Sequence, residues 1–115
     1  MTDSHIYKIL DRADWMAACD KGAYHGSADD LRDGFIHFST APQVPGTLER
    51  HFADAQNLVI AAFSAAAVGD ALRWEASRKG ELFPHLYGPL DPHACLKVHA
   101  LNRDAEGRFI LPPLA

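Results

Sequence analysis

Cysteine is scarce in this chain of 115 residues: it has two, Cys19 and Cys95. They give neither a disulfide framework nor a paired metal spacing, and a reducing cytoplasm is the expected setting. Long apolar runs are missing as well. The longest, Leu58 to Phe63, is strand-length and falls far short of the roughly 20 residues that span a bilayer. The opening Met1-Thr2-Asp3-Ser4-His5 lacks the basic and apolar regions of a secretion signal. Basic charge is in the minority, with 11 Lys and Arg against 15 Asp and Glu and a net charge of −4 with histidine neutral. That balance argues against nucleic acid and anionic membrane as partners, since both call for basic patches. The densest basic stretch, Arg73 to Lys79, is interrupted by Glu75. No G-x-G-x-x-G and no Walker loop occurs, so a Rossmann or P-loop site has no support.

What is present suits one packed domain over residues 1–115. Hydrophobic residues make up 48% of the chain and charged residues 23%, which is ordinary for a globular core. His5 to Leu10 reads as a first strand. Asp11 then caps a helix whose apolar stripe is Trp15, Ala18 and Cys19, ended by Gly22. Ala23 to Leu31 reads as a polar connection in which Ser27 caps a short turn through Asp30. It either lies over a pocket or forms an ordered surface loop. Gly34 to Thr40 reads as a central strand, with Ile36 and Phe38 on one face and His37 and Ser39 on the other.

Thr40-Ala41-Pro42-Gln43 resembles a capping box ahead of a helix face of Val44, Leu48, Phe52 and Ala55. Pro45 there implies a tightened first turn or a later helix start. Leu58 to Phe63 reads as an interior strand, and Ser64 to Gly69 as a small-residue turn or short helix. Ala71 to Glu75 alternates, with Leu72 and a core Trp74 opposite Arg73 and Glu75. Two prolines and a glycine in Glu81 to Leu90 argue against regular structure, and the stretch suits a pocket wall carrying His85 and Tyr87. A late strand spans Ala94 to Leu101, and a last short one Phe109 to Leu111. The order is that of an α+β protein, with a small split mixed sheet and two main helices.

Polar residues in otherwise buried settings mark three candidate places: His37 with Ser39, Arg73 with Glu75, and His85 with Tyr87. Histidine supplies an acid, a base or a hydrogen-bond donor near neutral pH. Tyrosine stacks on a planar ring or donates its hydroxyl. The set suits a ring-containing polar ligand such as a nucleotide. Each residue also has a structural reading: a satisfied sheet histidine, a strand end that caps a helix, or a surface charge pair. His37, Glu75 and His85 are competent metal ligands, but they lack H-x-x-x-H or H-x-H spacing, and no metal is expected. A Ser39 hydrolase lacks a G-x-S-x-G elbow.

Asp33-Gly34-Phe35-Ile36-His37-Phe38-Ser39-Thr40 with Gln43, and Phe83-Pro84-His85-Leu86-Tyr87-Gly88-Pro89, resemble the signatures of the bacterial family called domain of unknown function 952. Ile6-Tyr7-Lys8-Ile9 and Arg73-Trp74-Glu75 fit it too. Many members carry histidine where Lys8 stands. The fold of that family is similar to the ADP-ribosyltransferase superfamily, and His37-Phe38-Ser39 resembles the H-x-S strand of RNA 2'-phosphotransferases. The resemblance implies a cleft that binds NAD or a related nucleotide and transfers ADP-ribose. Its catalytic residues would be Glu75, His37 and His85, and its cofactor contacts Lys8, His37, Ser39 and Tyr87. The alternatives are a non-catalytic ligand-binding or interaction module in the same pocket and a metal-dependent hydrolase.

Overall fold

The computed structural model describes residues 4–114, the Arg78 side chain excepted; Met1, Thr2 and Asp3 of the opening segment lie outside the described residues. In chain order the elements are β1 (His5–Asp11), α1 (Arg12–Lys21), α2 (Ala28–Asp33), β2 (Ile36–His37), α3 (Val44–His51) and β3 (Leu58–Ser64). They continue with α4 (Ala65–Val68), β4 (Leu72–Ala76), β5 (Leu82–Leu86), β6 (Lys97–Ala100), β7 (Asn102–Arg103) and β8 (Phe109–Ile110).

The strands form two three-stranded sheets, ordered β1-β3-β6 and β2-β5-β4, and a β7-β8 hairpin. Every one of these pairings is antiparallel, where the sequence led to expect a mixed sheet. The reason is connectivity. A parallel pair needs a crossover, usually helical, between two strands of one sheet. Here the helices carry the chain from one sheet to the other: β1 to β2, β2 to β3 and β3 to β4.

β3 is buried along its whole length, as its unbroken apolar run requires. Val59, Ala61 and Phe63 enter a cluster with Ile6, Leu10, Trp15, Ala18 and Phe38. Its other face, Leu58, Ile60 and Ala62, packs with Tyr7, Ile9, Val44 and Leu48. One strand thus divides two cores, one under α1 and one under α3. Lys8, between Tyr7 and Ile9, shares the strand face of Ile6 and Leu10 and is 4% exposed. A charged group on that face needs a partner, and this need organises the site.

The helix boundaries follow their caps. The Asp11 carboxylate accepts from the Ala13 amide at 2.7 Å, and Ser27 caps α2 through the Asp30 amide at 3.2 Å. The polar connection is therefore in part a helix, ended by Gly34 at φ +88°, a backbone angle that favours glycine. Before α3, a 3-10 turn at Ala41–Gln43 absorbs the tightened turn, and Pro45 falls in the first turn of α3, where its missing N–H is harmless. The helix stops at His51, so Phe52 and Ala55 reach the second core from the chain beyond it.

Three expectations fail. The Gly34 to Thr40 stretch is not a central strand: β2 is two residues long and edges the second sheet, while Ser39 crosses to the first. Ser39 and Tyr7 exchange backbone hydrogen bonds at 2.8 and 2.9 Å. The stretch thereby stitches the two sheets together. The segment expected to be irregular holds β5, the middle strand of its sheet. Pro84 is tolerated because its carbonyl, not an N–H, is what it offers to Phe38 N at 3.0 Å, beyond the short ladder of β2. Trp74 is not core. It shares a face with Leu72 but is 41% exposed, since the second sheet extends past the core there.

Candidate functional site: a cleft at the seam of the sheets

A cleft of about 320 Å³ opens where β1, β2 and β5 meet α2 and α3. Tyr7, Phe38, Phe52 and Phe83 give it aromatic surface. Its polar lining comes from Lys8 of β1, Ser27 before α2, Asp29, Asp30, Arg32 and Asp33 of α2, His37 and Ser39 at and after β2, Thr47, Arg50 and His51 of α3, Ser77 after β4, and His85 of β5.

Asp30 is the hub of one wall. It is 2% exposed and accepts from Lys8 Nζ at 2.9 Å, from the Ser27 amide at 2.9 Å and from His37 Nδ1 at 2.6 Å. Lys8 also donates to the His37 carbonyl at 3.0 Å. Burial alone would raise the Asp30 carboxyl, but the His37 hydrogen bond, the Lys8 ammonium and the Ser27 amide outweigh it and hold it well below the usual carboxylate range. Burial pulls the Lys8 ammonium below its ordinary range, and Asp30 restores only part of that shift. The pair therefore contributes less to folding than the Asp30 shift alone implies. His37 Nε2 lies 3.0 Å from Asp33 Oδ2, so each ring nitrogen faces a carboxylate oxygen. Beside this network, burial and then Asp30 push the Tyr24 hydroxyl upward.

Beside His37, and paired with it across β2 and β5, stands His85. Its Nδ1 lies 2.8 Å from Glu75 Oε1, and the same oxygen accepts from the Tyr87 hydroxyl at 2.7 Å. These two hydrogen bonds, His85 first, hold the Glu75 carboxyl below its ordinary range, and the Tyr87 hydroxyl is raised in return. Phe35 stacks on the His85 ring at 4.0 Å between centroids and 22° between planes. It also lies 4.6 Å from the His37 ring. The two imidazoles are 5.6 Å apart.

Of the residues singled out in the sequence, Lys8, His37, Ser39 and His85 come together in the cleft lining. Ser39 Oγ is 3.0 Å from Thr47 Oγ1. Glu75 and Tyr87 do not line the cleft; Glu75 reaches it through His85. Sequence reasoning missed Asp30 and Asp33. The signal for Asp30 was there: Ser27-Ala28-Asp29-Asp30 is a capping box in which the Ser27 amide bonds the Asp30 carboxylate. A capping aspartate beside a buried lysine is a ready ion-pair partner. His51 also lines the cleft. Among the described residues no group of three His, Cys, Asp or Glu could hold a metal ion, and no helix is long and apolar enough to cross a membrane.

A family model described as "Protein of unknown function (DUF952)" matches residues 9–98. The chain is similar to the crystal structure of protein CC0527 from Caulobacter crescentus, with 46% identity, a TM-score of 0.88, and coverage of 93% of this chain and 94% of that one. It is also similar to the solution NMR structure of the same protein, with 48% identity, a TM-score of 0.79, and coverage of 90% and 89%. No curated protein matches it.

Proposed function

The chain belongs to the family described as Protein of unknown function (DUF952), and from that premise we propose that it is a single-domain protein whose cleft binds NAD or a related nucleotide and transfers ADP-ribose. One observation carries the reading. The cleft joins an aromatic surface to cationic and hydroxyl donors, Arg50, Ser39, Thr47 and His85 among them. Such a lining takes a planar ring and an anionic phosphate together. Asp29, Asp30 and Asp33 also line the cleft; Lys8 pairs with Asp30, and Arg32 with Asp29 and Asp33, which offsets their repulsion of a phosphate. A cleft of this volume is at the small end for ligand sites, and it suits one nucleotide half with the remainder at its open side. Lys8, His37 and Ser39 would shape and contact that half; Glu75 and Tyr87 would act on it through His85. The position of the cleft between two small sheets supports the ADP-ribosyltransferase-like reading, which is an analogy of fold.

The test is a thermal-shift titration with NAD, ADP-ribose and nicotinamide on the wild type and on Arg50→Ala, an exposed position whose replacement leaves the core intact. A ligand at about 100 times its Kd adds about 2.7 kcal/mol and raises Tm visibly. A shift with NAD or ADP-ribose that Arg50→Ala weakens is the expected result. No shift with either nucleotide up to millimolar concentration sinks the proposal. A second reading, a binding module without turnover, is favoured by the full engagement of both His37 nitrogens. Saturable binding with no product would select it.

A further inference from the structure

We infer that His85 is the proton acceptor of the cleft, that Glu75 positions it, and that the group it deprotonates is an oxygen brought in from outside, a water or an alcohol. The inference rests on the nucleotide reading above and deepens it by assigning the acceptor of the transferred group. The ring of His85 is fixed by the Glu75 carboxylate at Nδ1, by the Tyr87 hydroxyl on that same carboxylate oxygen, and by the stacked Phe35. An ionised carboxylate only accepts, so Nδ1 carries the proton and the lone pair of the neutral ring sits on Nε2. His85 lines the cleft, and among the described residues nothing forms a hydrogen bond with its Nε2. A base oriented by a carboxylate through one ring nitrogen, with the other unbonded and the side chain lining a cleft, is the arrangement that general-base catalysis uses.

His37 cannot take the role, because carboxylates face both of its nitrogens. Among the described residues, no hydroxyl is held by His85 as a nucleophile. The Ser39 hydroxyl is paired with Thr47, and no side-chain hydroxyl of the described residues is bonded to His85. The attacking oxygen must therefore arrive with solvent or with a second substrate. With NAD in the cleft the step balances. The incoming oxygen bonds to the ribose C1′, and the C1′–N bond to nicotinamide breaks with its electron pair leaving on neutral nicotinamide. The proton of the oxygen passes to His85 Nε2 and on to solvent. Water yields free ADP-ribose, and an alcohol yields an O-linked ADP-riboside, a glycoside. No oxidant or reductant takes part.

The experiment measures NAD binding by calorimetry and nicotinamide release by chromatography for wild type, His85→Gln and Glu75→Gln. Glu75→Gln changes a partly exposed side chain to its isostere, so the fold survives it. Both variants are expected to lose about 100-fold or more in kcat, and Glu75→Gln, at a position that does not line the cleft, to do so at unchanged Kd and KM. A merely structural role for Glu75 would change Kd, KM and Tm together. No binding by the wild type overturns the nucleotide reading and this inference with it. Turnover that both variants retain overturns the inference alone; binding without turnover overturns it together with the transfer step and selects the binding module.

Discussion

Replacing Asp30 by alanine removes the hub of the buried network. The carboxylate accepts from Lys8 Nζ, the Ser27 amide and His37 Nδ1, all within 2.9 Å. Alanine strands the Lys8 ammonium, whose side chain is 5% exposed. Removing one partner of a buried ion pair costs about 3–5 kcal/mol, because the other charge is left without compensation. Stabilities of domains this size run to about 5–15 kcal/mol, so the loss is a large fraction of the total. At about 4 °C per kcal/mol, Tm falls by roughly 12–20 °C. Urea unfolding followed by circular dichroism reads the loss directly. Adding Lys8→Met to Asp30→Ala should recover part of it, since the stranded charge goes too.

The pH dependence has a definite sign. The folded pKa of Asp30 lies below its ordinary value of 3.8. Its contribution is therefore fully present above about pH 4 and is lost as the pH falls from there toward the folded pKa. In Asp30→Ala that part of the acid limb disappears. A loss below about 1 kcal/mol, or an acid limb unchanged from wild type, refutes the reasoning.

Tyr24→Phe should leave Tm unchanged or raise it, because among the described residues the buried Tyr24 hydroxyl has no hydrogen-bond partner and its removal lifts a desolvation cost; a loss above about 1 kcal/mol would contradict this. Gly26→Ala should disrupt the site. A Cβ there would meet the Asp30 Cβ at 2.6 Å, at a φ of +121°, and a far-side control such as Gly107→Ala, whose Cβ meets nothing within 4 Å, should cost only backbone strain. Equal losses in the two variants would show that the Asp30 contact does not matter. Gln43→Leu leaves the Thr40 amide and the Leu82 carbonyl without the partners they have at 2.9 and 2.8 Å; a cost of about 1–3 kcal/mol in denaturant unfolding is expected, and none at all would mean that other groups replace them.

The elements legible in the sequence were those with local signals. Asp11 and Gly22 bracketed α1, and the apolar run Leu58 to Phe63 announced a strand buried on both faces. Where tertiary pairing overrode local preference, the reading failed. Pro84 suggested irregular structure, but a two-residue neighbour made no demand on its missing donor. Trp74 followed the alternation of β4 onto the apolar face, yet alternation gives the face of a strand and not how far the core extends beneath it. His37 and Ser39 were found because they alternate with Ile36 and Phe38. Asp30 was passed over because its capping role explained it locally; its partner Lys8 is 22 residues away, a distance no local pattern spans. Glu75 was placed on the correct strand face, but only the register Glu75↔Phe83 and Arg73↔His85 brings it to Nδ1 of His85 and not to the cleft.

The central claim, a nucleotide cleft at the seam of the two sheets, is tested most directly by titrating NAD into ¹⁵N-labelled protein and following the amide resonances. Saturable shifts are expected at Ser27 to Ser39, at Thr47 to Phe52 and around His85, with the α1 surface and the β7-β8 hairpin unmoved. Shifts elsewhere, or none at millimolar NAD, would contradict it.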